Sequence, residues 1–140
     1  MRARGYRIWR ETVVIYLGGL CYCGIELLWR GRTHGSMFLL GGLCFWLVGG
    51  LNRGGRLSVL LQMALGALIV TALELWTGLV VNNALGLRVW DYSDVPLNYR
   101  GQICLPFTLL WFCLCGAVIF AEDGLRHALF HEPVPQYKWI

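Results

Sequence analysis

The chain has 140 residues, 57% of them hydrophobic and 14% charged, with a formal net charge of +4. Soluble domains run at about 45–50% apolar and about 25% charged, so lipid is the solvent this composition implies. The length allows one domain and only a few spans of roughly 20 residues each. The arginines sit at the borders of apolar runs rather than in one basic patch, so no nucleic-acid partner is expected.

In chain order, MRARGYRIWR leads into TVVIYLGGLCYCGIELLW. That apolar run is too long for a secretory signal, no A-x-A site follows it, and Leu20 precedes Cys21 where a lipoprotein signal wants a small residue. It reads as a retained first span. The predicted spans are residues 12–29, 36–51, 57–81 and 103–121, in a single transmembrane domain covering 1–140. The expected fold class is an all-α polytopic membrane protein with about four transmembrane helices. The second run is short for a full crossing. It is expected to begin in the Gly35/Ser36 turn, to sit where the bilayer is thin, or to be partly re-entrant.

Short links, RGRTHG and NRGG, join the first three spans, and a long loop, 82–102, joins the last two. Pro133 and Pro135 stop helix in the tail. Arg2, Arg4, Arg7, Arg10, Arg53, Arg56, Arg126 and Lys138 fall on one side, against Arg30, Arg32, Arg88 and Arg100 on the other. The positive-inside rule then makes both termini cytoplasmic and 82–102 an outer loop. Trp9, Trp29, Trp76, Trp90 and Trp139 lie near span ends, as interfacial anchors would. The expected location is the bacterial cytoplasmic (inner) membrane.

GIELLWRG at 24–31 echoes LELWTG at 73–78, which suggests two helical hairpins related by a parallel repeat and sets Glu26 and Glu74 at similar depth. Ionisable groups inside spans are functional candidates. Glu74 shares a helical face with Ala67, Thr71 and Gly78, a small and polar stripe suited to helix packing. Glu26 has Gly19 and Tyr22 on its face, with Arg30 one turn later in the favourable order for a local ion pair. If the carboxylates converge, one proton could be shared between them.

The loop motif is W-D-Y-S-D, with Trp90, Asp91, Tyr92, Ser93 and Asp94, followed by Asn98 and Gln102. It lacks the spacing of a calcium loop and has no nucleophile elbow. Turn chemistry at Ser93 and Pro96 is the simpler reading, with Asp91 and Asp94 paired to Arg88 and Arg100. His127 and His131 lack the H-E-x-x-H order of a zinc protease and read as a solvated juxtamembrane helix. The six cysteines all fall in or beside apolar runs, as small apolar side chains. No catalytic residue, metal ligand or cofactor is assigned, and no P-loop occurs.

The run LELWTGLVVNNALGLRVWDYSDVPLNYRGQICLPFTLLW, 73–111, resembles the C-terminal part of the ABC-transporter type IV family of small bacterial membrane proteins. The matching positions are Glu74, Asn82 or Asn83, Leu85 to Leu87, Trp90 to Ser93, Pro96, Asn98, Gly101 to Leu105 and Trp111. IELLWRGRTHGSMFLLGGLCF, 25–45, is similar to the family's first hairpin. The resemblance implies a transporter or permease component, and the residues themselves suggest for it an intramembrane polar site of Glu74, Glu26, Thr71 and Tyr22. Its partners would be the lipid bilayer, further copies or another membrane subunit, and an ATPase. The alternative is a non-transporting scaffold or docking subunit; an enzyme comes third.

Overall fold

The computed structural model describes residues 2–140; the side chain of Arg2, one of the charges counted above, lies outside the described residues. Four α-helices carry the fold: α1 (Arg2–Arg30), α2 (Gly35–Gly50), α3 (Val59–Gly78) and α4 (Leu105–Phe130). A π-helical turn, Leu79–Ala84, continues α3, and two short antiparallel strands, β1 (Asn98–Tyr99) and β2 (Ile103–Cys104), precede α4. The fold is thus all-α apart from this small hairpin in the loop.

Three segments, Ala3–Arg30, Val59–Ala84 and Leu105–Phe130, are long and apolar enough to cross a membrane. The 16-residue α2 spans about 24 Å, against about 30 Å for a hydrocarbon core. His34 and Ser58 cap α2 and α3 by accepting from the backbone N–H groups of Ser36 and Leu61, which binds otherwise orphaned donors. Pro106 in the first turn of α4 sits where a missing N–H costs nothing.

The helices pack as two hairpins, α1 with α2 and α3 with α4, and α2 also touches both α3 and α4. Small residues set the first interface. Gly41 lies under the Tyr22 ring, Gly42 against the Ile15 backbone, and Gly18 and Gly19 under Phe45 and Phe38. Close approach of this kind replaces the hydrophobic drive that is missing in lipid. Leu20, Leu39, Leu68 and Leu109 face outward, as the lipid-facing surface of a membrane protein must.

One apolar cluster, around Met37, Leu40, Val81, Val89 and Trp90, lies at the end of the bundle that carries the long loop. A second, around Val48, Cys115 and Ile119, lies nearer the chain termini. α4 runs past the apolar stretch that ends at Ala121 and stops at His131, whose φ of 55° makes it a left-handed cap. The tail then folds back: Tyr137 packs on Phe120 with ring centroids 4.6 Å apart, and the Lys138 carbonyl accepts from the Val59 N–H at 2.6 Å. All six cysteines are free thiols.

Candidate functional site

Glu74 is 4% exposed, one turn before the end of α3. Its two oxygens accept from two neutral donors: the Tyr92 hydroxyl at 2.8 Å and the Trp111 indole N–H at 3.1 Å. Tyr92 belongs to the loop and Trp111 to α4, so one carboxyl joins α3, the loop and α4. Phe107 stacks on Tyr92 with centroids 4.7 Å apart and fixes the phenol's direction. Among the described residues, no cation pairs with Glu74.

This arrangement accommodates either charge state. As a carboxylate, Glu74 accepts both bonds. As an acid, its O–H can donate to the Tyr92 oxygen while the other oxygen still accepts from Trp111, since an indole N–H only donates and a phenol does both. Burial drives the Tyr92 hydroxyl above its ordinary value, with the neighbouring Glu74 charge adding to the effect. The phenol therefore stays protonated and available as a donor.

The loop is built to deliver Tyr92. The π-helical turn widens the end of α3 and buries Asn82, whose amide donates to Gln102 Oε1 at 2.8 Å and accepts from the Val89 N–H at 2.7 Å. Trp90 donates to the Gln102 carbonyl at 2.9 Å, and Tyr92 N–H to the Gly101 carbonyl at 2.7 Å. At the tip of the β1–β2 hairpin Arg100 and Gly101 both have positive φ, 53° and 68°, the pattern of a tight hairpin turn. Gly101 is needed there for a second reason, because a Cβ would lie 2.6 Å from Ser93 Oγ and 2.7 Å from Asp91 Oδ1.

Asp91 accepts from the backbone N–H of Ser93 at 2.9 Å and from its hydroxyl at 2.5 Å, which is turn chemistry. Those bonds hold the exposed Asp91 carboxyl below its ordinary value, with Arg88 adding a smaller electrostatic effect. Asn98 donates to the Ser93 and Val95 carbonyls and accepts from Gly101 N–H. The expected ion pairs of Asp91 and Asp94 with Arg88 and Arg100 do not form among the described residues; Arg100 lies over the Tyr99 ring instead, 5.7 Å from its centroid. Trp90 also departs from expectation. It is 5% exposed rather than interfacial, because its indole N–H finds an acceptor inside the loop and its ring fits over Gly78.

Glu26 has a different environment. It is 7% exposed, ion-paired to Arg30 and accepts from the Thr33 hydroxyl at 2.7 Å. Arg30 also donates to the Val89 carbonyl at 3.1 Å. No described side chain bonds both Glu26 and Glu74, although Tyr22 lies within electrostatic reach of each and its ring is 6.5 Å from that of Trp111. Thr71 bonds Thr108 across α3 and α4 at 3.0 Å.

The sequence reading missed a second polar cluster, at the end of the bundle that carries the termini. Arg126 of α4 donates to Glu122 at 2.5 Å and to Glu11 of α1 at 2.7 Å. Arg53 reaches both carboxylates, at 3.2 and 3.3 Å, and the Trp46 indole donates to Glu11. Beside them Asn52 and Tyr137 donate to Asp123 at 2.7 and 3.1 Å, and Gln62 donates in turn to Asn52 at 2.9 Å. The available signal was the spacing of Glu122, Asp123 and Arg126 on one helix, together with Glu11 immediately before the first predicted span.

A family model described as "Putative ABC-transporter type IV" matches residues 16–138 of this chain. No solved structure matches it.

Proposed function

The chain belongs to this ABC-transporter type IV family, and from that premise we propose that it is a membrane-embedded transporter component whose working group is the Glu74 carboxyl. The observation that carries the reading is a buried carboxyl bonded to a phenol and an indole, with no cation paired to it among the described residues. Such a group can take up and release a proton, or exchange it for a small cation, without losing its anchors. Tyr92 couples that event to the loop. Arg30 and Thr33 satisfy Glu26, which makes it a positioning group for the loop through Val89 and not a second working carboxylate.

In this reading the termini are cytoplasmic and the loop caps the outer face of a bacterial inner membrane, which the excess of Lys and Arg at the termini end supports. An ATPase partner and further copies of the chain belong to the same proposal. The test is proton flux in proteoliposomes carrying a pH-sensitive dye, under an imposed gradient. Glu74→Gln is expected to assemble normally and lose flux. Flux that falls only in proportion to the amount of assembled protein would instead favour the scaffold reading, which draws support from the closed ion pair at Glu26 and the charged network around Arg126.

A further inference from the structure

At the loop end, outside the Glu74 site, a cleft of about 170 Å³ opens between the end of α1, the turn before α2 and residues 87–89. That is several times the roughly 30 Å³ that a water occupies in the liquid, enough for a phosphate group. Arg30, Arg32, Arg88, Thr33 and His34 line it. Glu26 balances Arg30, whereas Arg32 and Arg88 enter no ion pair among the described residues. The cleft therefore carries an excess of two positive charges, and α2 begins at its rim, adding the partial positive charge of a helix N-terminus. Arg88 is also held at φ 47°, a left-handed conformation that costs a non-glycine residue free energy and so needs its surroundings to enforce it.

Apolar, outward-facing residues flank the lining segments in the chain, and Leu87 belongs to the lining itself. Leu28 and Trp29 at the end of α1 are 91% and 81% exposed, and Leu85 and Leu87 are 62% and 50% exposed. Guanidiniums beside exposed leucine and tryptophan at the end of a membrane-crossing helix mark headgroup depth. We propose that this cleft binds the phosphate of an anionic phospholipid, with Arg32 and Arg88 as its principal donors and Arg30 fixed by Glu26 at the back. Guanidiniums suit this role because their forked donors match two phosphate oxygens at once. The proposal does not depend on the role of Glu74.

The test titrates the purified full chain with phosphatidylglycerol, phosphatidylcholine and inorganic phosphate, reading retained adducts by native mass spectrometry and the shift in Tm. Phosphatidylglycerol should bind and raise Tm more than phosphatidylcholine. Arg32→Gln with Arg88→Gly, the glycine chosen because it accepts the positive φ, should weaken phosphatidylglycerol at least tenfold, while Arg7→Gln at the opposite end should not. Arg32→Gln alone, at an exposed side chain, gives a second reading if the double variant fails to fold, with about tenfold weakening expected. Displacement of phosphatidylglycerol by inorganic phosphate at comparable concentration would assign the cleft to a soluble phosphate and overturn the lipid. Equal retention of phosphatidylcholine, or unchanged binding in the variants, would overturn the site.

Discussion

Glu74 and Glu122 are buried carboxyls on neighbouring helices, α3 and α4, and they are held in opposite ways. Glu122, at the termini end, is fully buried and faces the guanidiniums of Arg126 and Arg53. Glu74, at the loop end, faces a phenol and an indole. A carboxylate among guanidiniums is held by ion pairs, and removing its charge would leave the buried Arg126 without its nearest counter-charge. One among neutral donors keeps its hydrogen bonds in either form. The termini end thus reads as fixed-charge glue joining α1, the α2–α3 link, α4 and the tail, and the loop end as the place where charge can change.

The largest effect is expected where that glue is cut. Arg126→Met should lower stability by about 3–5 kcal/mol, because it strands the buried Glu122 and removes the closest cation from Glu11. Thermal melting in detergent reads this directly. A loss below about 1 kcal/mol would mean that Arg53 alone balances both carboxylates.

Steric blockade of the loop should cost less. Gly78 lies under Gln102 and Trp90, so Gly78→Val should cost about 1–3 kcal/mol through overpacking. Amide exchange should quicken across residues 89–102 while residues 115–126 stay protected; equal loosening at both ends would contradict the separation drawn here.

The smallest effect concerns Asp91. Its carboxyl is held below the ordinary value of 3.8 by the Ser93 bonds, so it titrates lower in the folded chain than in the unfolded one. Its contribution is therefore fully present above pH 3.8 and is lost as pH falls through the depressed folded value. Proteolytic nicking of the loop should rise as acid is added in that window, and Asp91→Asn should remove the pH dependence. A variant that keeps the same acid response would assign it to another group.

Much of this architecture was legible in the sequence, because spans, turns and local pairs are written locally. Four apolar runs separated by charged or proline-bearing links became four helices. Glu26 and Arg30, four apart, could be paired on paper. The stripe of Ala67, Thr71, Glu74 and Gly78 did turn inward: Ala67, Glu74 and Gly78 are buried, and Thr71 bonds Thr108. What was not legible was which distant residues meet. Tyr92 and Trp111 reach Glu74 from 18 and 37 positions away, and Arg126 reaches Glu11 from 115 positions away; no periodicity carries that information. Tryptophan near a span end usually lies at the interface, but for Trp90 a carbonyl acceptor inside the loop and the opening above Gly78 favour an inward position. The π-helical turn was invisible for a similar reason, since LVVNNA continues an ordinary helical run until Asn82 is required by Gln102 and Val89.

The most direct test of the contrast is a pair of melting curves for the isosteric variants Glu74→Gln and Glu122→Gln, measured in the same lipid. Glutamine at 74 can accept from Trp111 and donate to the Tyr92 oxygen, so Glu74→Gln should stay within about 1 kcal/mol of the parent. Glutamine at 122 removes the negative charge from between two guanidiniums, so Glu122→Gln should lose at least about 2 kcal/mol. Comparable losses in the two variants would contradict the account, because Glu74 would then be held by its charge and would be glue like Glu122.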